Sequence, residues 1–349
     1  MTIRTYASVT QHEIITQTRA WSEALTSVTS NADSLEALWR QGRYQCVLFT
    51  GCGSTYYLSQ AAASLFQMHV GAPACAAPAS ELLFYPEAHY PKRGKVLLVA
   101  SSRSGYTSET VAAVQAFRQR QQGEVVVITN DAEKPLAALA DVLLAIPAGQ
   151  EESVAQTRSF ASMYVAATAM VATLAQKLDW LDAMRALPQV GDRLLATYDS
   201  LARELGGNLD YDRFYFLGSG PRFGLASETN LKMKEMTLTH SEPFPFLEFR
   251  HGPMSMAGPS AVIIGMLSAS RRQPEAQVLG DMKKLGARVV TLAEQNADVV
   301  FDSQLPEAVR NVLYLPVLQL VAYHRAIAKG LNPDRPNNLS AVIELDGLG

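Results

Sequence analysis

YQCVLFTGCGS (44–54) and RFYFLGSG (213–220) decide the fold. Each is a short apolar run that ends in a glycine turn, the signature of a strand buried on both faces and released into a loop. Outward from the first, YYLSQAAASLFQMHV (56–70) reads as a helix, KVLLVASS (95–102) as a strand, TSETVAAVQAFRQRQ (107–121) as a helix and EVVVITN (124–130) as a strand. Outward from the second, ASETNLKMKEM (226–236) is helical, and AVIIGMLSAS (261–270) and ARVVTLA (287–293) are strands. Strands alternating with helices predict a parallel sheet covered on both faces. Ser101 follows Gly51 by 50 positions, and Ser268 follows Gly218 by the same 50. The spacing predicts a duplicated α/β unit: an N-terminal helical segment over 1–40, a first domain over 41–195 and a second over 205–349 that carries a C-terminal tail. The junction falls in a polar helical stretch around 190–210.

Composition narrows the function. With 349 residues, 48% of them hydrophobic, and a formal charge of −3, the chain is a well-packed globular protein without a nucleic-acid footprint. Three cysteines, an odd number on a long chain, fit a reducing compartment. The N-terminus lacks an apolar core with a cleavage site, and the longest apolar segment, FASMYVAATAMVATLAQ (160–176), falls short of a membrane span. The expectation is a cytoplasmic protein with no membrane partner. The six histidines lack ligand spacing, so no metal is expected, and GCGSTY does not complete the GxGxxG of a dinucleotide site. No cofactor is expected.

In an open parallel sheet, ligands bind beyond the carboxyl ends of the strands. There SSRSGYTSET (101–110) places Ser102, Ser104, Gly105 and Thr107 just before a helix, combining hydroxyls, unpaired backbone N–H groups and the positive end of a helix dipole. The loop faces a second turn with Gly51, Gly53, Ser54 and Thr55. Together they suit a phosphate monoester. The corresponding SASRRQPE (268–275) lacks the pattern, so the second copy is expected to have lost its phosphate site. In the second half Glu228, Lys232 and Glu235 share one helix face, as a solvated salt-bridged stripe would. The Gly/Ser turn before that helix and His251 in FRHGP after it point instead to acid–base chemistry.

Taken in order, GCGST, SSRSGYTSET, ITN, AGQEESVAQTRSF and LKMKEMTLTHSEPFPFLEFRHGP resemble the sugar isomerase (SIS) domain proteins over nearly all of the chain after residue 40. The resemblance extends to the isomerase half of glucosamine-6-phosphate synthase, to amino-sugar-phosphate isomerase/deaminases and to fructosamine-6-phosphate deglycases. It implies two tandem SIS domains, a phosphorylated (amino) sugar as ligand, and a homodimer or higher homo-oligomer. It implies that Ser54, Thr55, Ser102, Arg103, Ser104 and Thr107 line the phosphate and sugar, with Val154 and Gln156 nearby. Glu235 would shuttle a proton between C1 and C2, Lys232 would support it, and His251 would assist ring opening, in its own or the neighbouring subunit's site. Two departures are expected to matter: the synthase's glutamine-hydrolysing domain is missing, and Ala341 stands where the synthase tail carries a lysine. Arg103, where the synthase has glutamine, implies a different substrate. The resemblance therefore implies an isomerase, deaminase or deglycase, with a non-catalytic phosphosugar sensor as the alternative.

Overall fold

A computed structural model describes residues 8–120 and 122–340. Helices α1 (Val9–Thr16), α2 (Thr18–Ser30) and α3 (Ala32–Gly42) precede the first half. That half runs β1 (Cys46–Gly51), α4 (Ser54–His69), β2 (Ala74–Pro78), α5 (Ala79–Phe84), α6 (Pro86–His89), β3 (Val96–Ser102), α7 (Ser108–Arg120), β4 (Val125–Thr129) and β5 (Val142–Ala145). Helices α8 (Arg158–Leu174), α9 (Leu178–Met184) and α10 (Leu187–Gly207) follow. The second half runs β6 (Arg213–Leu217), α11 (Pro221–Thr237), β7 (His240–Phe244), β8 (Ala261–Met266), α12 (Arg272–Lys284), β9 (Arg288–Ala293), β10 (Val299–Val300) and α13 (Leu315–Ala328).

Each half holds a five-stranded, wholly parallel sheet, in the orders β2-β1-β3-β4-β5 and β7-β6-β8-β9-β10. The two orders are the same order, so the repeat read from strand spacing is a repeat of topology. In each sheet the winding reverses beside the first strand of the half, and a crevice opens there, between β1 and β3 and between β6 and β8.

The apolar runs earn their burial. Val96 to Ser102 and Ala261 to Met266 are buried at every position, as two-sided coverage demands. Helix α8, the apolar segment of 160–176, is buried along nearly its whole length against α2 and α4. Among the described residues no helix is long and apolar enough to cross a membrane. The stretch around 190–210 is the amphipathic helix α10, whose Leu187, Val190, Leu194, Leu195, Ala202 and Leu205 are buried and which packs on α13. It is a structural strut with one wet face, because its apolar residues recur at helical spacing.

Helices α4 and α11 join the halves. A Cβ on Gly224 would stand 2.4 Å from the Tyr57 carbonyl oxygen and 2.6 Å from the Ala61 nitrogen, so only glycine allows the backbones to meet there. From that crossing α4 runs back towards Ser54 while α11 runs forward to Lys232, and those two side chains touch. The helices are therefore antiparallel, and each brings its C-terminal end to the other's N-terminal turn.

Candidate active site

The first crevice is built from the turn after β1 and the loop after β3. Gly53 adopts φ +53, which a side-chain-bearing residue rarely does, and the turn delivers Ser54 to the start of α4. The Thr55 hydroxyl closes this turn, accepting from the Cys52 N–H and donating to the Cys52 carbonyl, both at 2.9 Å. In the facing loop the hydroxyls of Ser102 and Ser104 lie 3.3 and 3.5 Å from that of Thr107. Their oxygens accept the N–H groups of Gly105 and Tyr106, each at 3.2 Å. Three hydroxyls thus gather before the N-terminus of α7.

Arg103 is buried, and its Nη1 donates to the carbonyls of Ser153 and Val154, each at 3.0 Å. The guanidinium ties the loop after β3 to the segment holding Val154 and Gln156. That segment has two further anchors the sequence did not reveal. Glu13, on α1, accepts from the Glu152 N–H at 2.6 Å and from the Ser153 hydroxyl, and burial raises its carboxyl pKa. Asp334 accepts the Val154 N–H on its carbonyl at 3.0 Å, while its carboxylate takes the Thr10 N–H at 2.8 Å and the Ser8 hydroxyl at 2.6 Å. Gln156 Oε1 lies 3.4 Å from the Ser159 hydroxyl. Glu13 and Asp334 lie more than 130 residues from this segment in sequence, so no local pattern could show them.

The charged face of α11 closes the crevice. Lys232 is 1% exposed, as is Glu228, and their charged groups stand 3.1 Å apart; Lys232 also contacts Glu235. From the same Nζ a hydrogen bond of 3.1 Å reaches the Ser54 hydroxyl across the two halves. What reads in sequence as a solvated stripe is an ammonium between two carboxylates, dried by α4. Burial pushes the Glu228 carboxyl up to about 8; Lys232 opposes the shift and the neighbouring Glu235 charge adds to it. Burial pulls the Lys232 pKa down, but the two carboxylates outweigh it and the net direction is up. One cation does not balance two buried anions, so the Glu228 carboxyl is held well above the usual carboxylate range.

This arrangement fixes a pH dependence. Because the folded pKa of Glu228 lies above its ordinary 4.5, the folded state holds the proton more tightly across the window from 4.5 to about 8. Its contribution to stability is complete below that window and is lost as pH rises through it. Denaturation measured against pH should therefore show the stability of the native protein, relative to Glu228→Gln, declining across this window. A constant difference between the two would contradict the raised pKa.

His251 does not join this cluster within one chain. It follows a short 3-10 turn (Glu248–Arg250), is exposed, and among the described residues shares no hydrogen bond or ion pair with Glu235 or Lys232. The tail position Ala341 lies outside the described residues.

A duplicated parallel sheet with a hydroxyl-lined loop at a switch-point crevice, and a buried lysine and two glutamates brought to it from the other half, defines a doubly repeated α/β class. The sequence profile of the SIS domain matches residues 45–173 and 209–326, and the chain belongs to the SIS domain family. It is 29% identical over 348 residues to a glutamine–fructose-6-phosphate aminotransferase (isomerizing) of Pyrococcus horikoshii, covering 96% of this chain and 57% of that protein. It is 30% identical over 319 residues to the enzyme of the same name from Chlamydia caviae, covering 86% of this chain and 52% of the relative. The chain thus spans about half the length of the curated relatives it matches. Among solved structures, tagatose-6-phosphate ketose/aldose isomerase from Escherichia coli superposes with a TM-score of 0.84 at 22% identity, covering 94% of this chain and 96% of that one. Glucosamine-6-phosphate deaminase from Thermotoga maritima gives 0.75 at 24%, covering 93% and 100%.

Proposed function

We propose that this chain is an enzyme that binds a phosphorylated sugar and moves a proton between its C1 and C2, releasing nitrogen from an amino-sugar phosphate or a fructosamine phosphate. The observation that carries this reading is the 3.1 Å hydrogen bond from Lys232 to Ser54, which sets the Lys232–Glu235 pair of one half against the ligand turn of the other. A phosphate would be held by Ser102, Ser104 and Thr107 at the N-terminus of α7, with Ser54, Thr55 and Arg103 shaping the sugar end and Val154 and Gln156 beside it. Glu235, 14% exposed where Lys232 and Glu228 are 1%, is the member of the cluster open to a ligand, which suits a general base. Lys232 fixes its position. His251, exposed and sharing no hydrogen bond or ion pair with Glu235 or Lys232 among the described residues, would assist ring opening in a neighbouring subunit, which makes a homodimer the smallest complete assembly.

The chemistry balances on either substrate class. From a fructosamine 6-phosphate, Glu235 takes a proton from C1 to give an enaminol, and returning it to C2 leaves an imine at C1. Water then releases the amine and an aldose 6-phosphate. From a 2-amino aldose 6-phosphate the proton leaves C2 and returns to C1, and the resulting C2 imine hydrolyses to ammonia and a ketose 6-phosphate. Ala341 supplies no amine for a covalent imine with a keto sugar, so the nitrogen that moves is the substrate's own. The similarity to a glucosamine-6-phosphate deaminase supports this reading; the higher TM-score against a tagatose-6-phosphate isomerase favours, as the second reading, plain aldose–ketose interconversion. Assay of glucosamine 6-phosphate and fructosamine 6-phosphate for ammonia or amine separates them: release supports the first, and isomerisation of plain hexose phosphates with no release supports the second.

Phosphate binding has its own test. Ser104→Ala with Thr107→Ala should weaken sugar-phosphate binding by about 1.5–3 kcal/mol for each lost hydrogen bond to the charged group, read by calorimetry. Unchanged affinity would mean that the hydroxyls only cap α7.

A further inference from the structure

The strip of chain beside the first crevice is held from outside both repeats. Along 153–157 burial alternates: Ser153, Ala155 and Thr157 are buried, while Val154 and Gln156 are half-buried. The buried set anchors the strip, and the half-buried set is what it can present to a ligand.

Glu13, on α1 ahead of the first repeat, is the principal anchor. It is 2% exposed and takes three donors from two adjoining residues. One carboxylate oxygen accepts the N–H groups of Glu152 at 2.6 Å and Ser153 at 3.5 Å, and the other accepts the Ser153 hydroxyl. Arg158 Nη2 stands 3.9 Å from the first oxygen. A buried acid is costly unless it is paired, and here every pairing but the arginine's goes to the strip.

The other edges of the strip are occupied as well. Arg103 donates to the Ser153 and Val154 carbonyls, and the Val154 N–H donates to the Asp334 carbonyl at 3.0 Å. The Asp334 carboxylate returns to α1, where it accepts the Thr10 N–H at 2.8 Å and the Thr10 hydroxyl at 2.7 Å. The loop after β3 has supports of its own. Its hydroxyls meet one another and the N–H groups of Gly105 and Tyr106, and the Gly105 carbonyl accepts the Leu136 N–H at 3.1 Å. None of those bonds runs through Glu13.

We infer that Glu13 is a positioning residue: through the backbone and hydroxyl of Ser153 it fixes Val154 and Gln156 in place, so that the crevice binds a sugar phosphate more tightly than phosphate alone. The inference rests on the reading of this crevice as a phosphosugar site. A strip ordered before the ligand arrives adds no ordering cost to binding. Without Glu13 that cost falls on recognition of the sugar, and the phosphate contacts stay as they are.

Calorimetry on the full chain with glucitol 6-phosphate, which has no carbonyl to react, and phosphorus NMR titration with inorganic phosphate test this without reference to turnover. Glu13→Ala should weaken glucitol 6-phosphate roughly tenfold and leave inorganic phosphate unchanged. Glu13→Gln should recover most of that loss. Its amide oxygen can accept the Glu152 N–H, and its amide nitrogen can donate to the Ser153 oxygen, whose proton then goes to the Ala155 carbonyl 3.1 Å away. If Glu13→Ala folds poorly, Ser153→Ala removes one of the three donors and should show the same selective loss, about threefold. Native affinity for glucitol 6-phosphate in whichever of the two alanine variants folds would overturn the inference and leave the phosphosugar reading standing. An equal loss for both ligands would make Glu13 a structural anchor only and would also overturn it. If the native protein does not bind glucitol 6-phosphate, the phosphosugar reading fails and the inference fails with it.

Discussion

Glu235→Gln should reduce kcat by about 10²–10⁴-fold while leaving KM for a sugar phosphate nearly unchanged. Glutamine keeps the shape of the side chain on α11 and can still accept from Lys232, so the hydroxyls proposed to hold the phosphate keep their arrangement. What disappears is the only basic oxygen of the cluster that is not fully buried. A matching loss in KM would mean that Glu235 binds the ligand rather than moves its proton, and unchanged turnover would remove it from the mechanism.

The second large effect is on stability. Lys232→Met retains the length of the side chain but leaves Glu228 and Glu235 without their cation and the Ser54 hydroxyl without its donor. Removing one member of a buried ion pair typically costs about 3–5 kcal/mol, since the remaining charge stays dry. Denaturant unfolding should show a loss of that size. Glu228→Gln added to Lys232→Met should recover part of it only above the raised Glu228 pKa, where the Glu228 and Glu235 carboxylates would otherwise repel. Additive losses in the double variant would mean that the three groups are not coupled.

The parallel sheets were legible because strands covered on both faces are continuous Val, Ile and Leu runs, as at Val96–Ser102 and Val125–Thr129. The outer strands were not: β2 is the half-exposed ACAAP and β10 is two residues long, too little pattern for periodicity to act on. The same division holds at the site. The hydroxyls of Ser102, Ser104 and Thr107 cluster through contacts three to five residues apart, so sequence spacing reports them. Lys232 meets Ser54 across 178 residues and Glu13 meets Ser153 across 140, and those contacts are set by how α4 packs on α11 and α1 on the loop that holds Ser153. The Glu228–Lys232–Glu235 stripe shows why: at helical spacing an exposed salt bridge and a buried charged triad have the same sequence, and only the neighbouring helix distinguishes them.

Proton transfer at the first two carbons is the centre of this account, and proton NMR of glucosamine 6-phosphate and fructosamine 6-phosphate incubated with the protein in D2O reads it directly. The expected result is deuterium entering C1 or C2 with the native protein, together with free ammonia or amine, and neither with Glu235→Gln. Tight binding of both sugar phosphates with no deuterium at either carbon would contradict it and leave the chain a phosphosugar sensor.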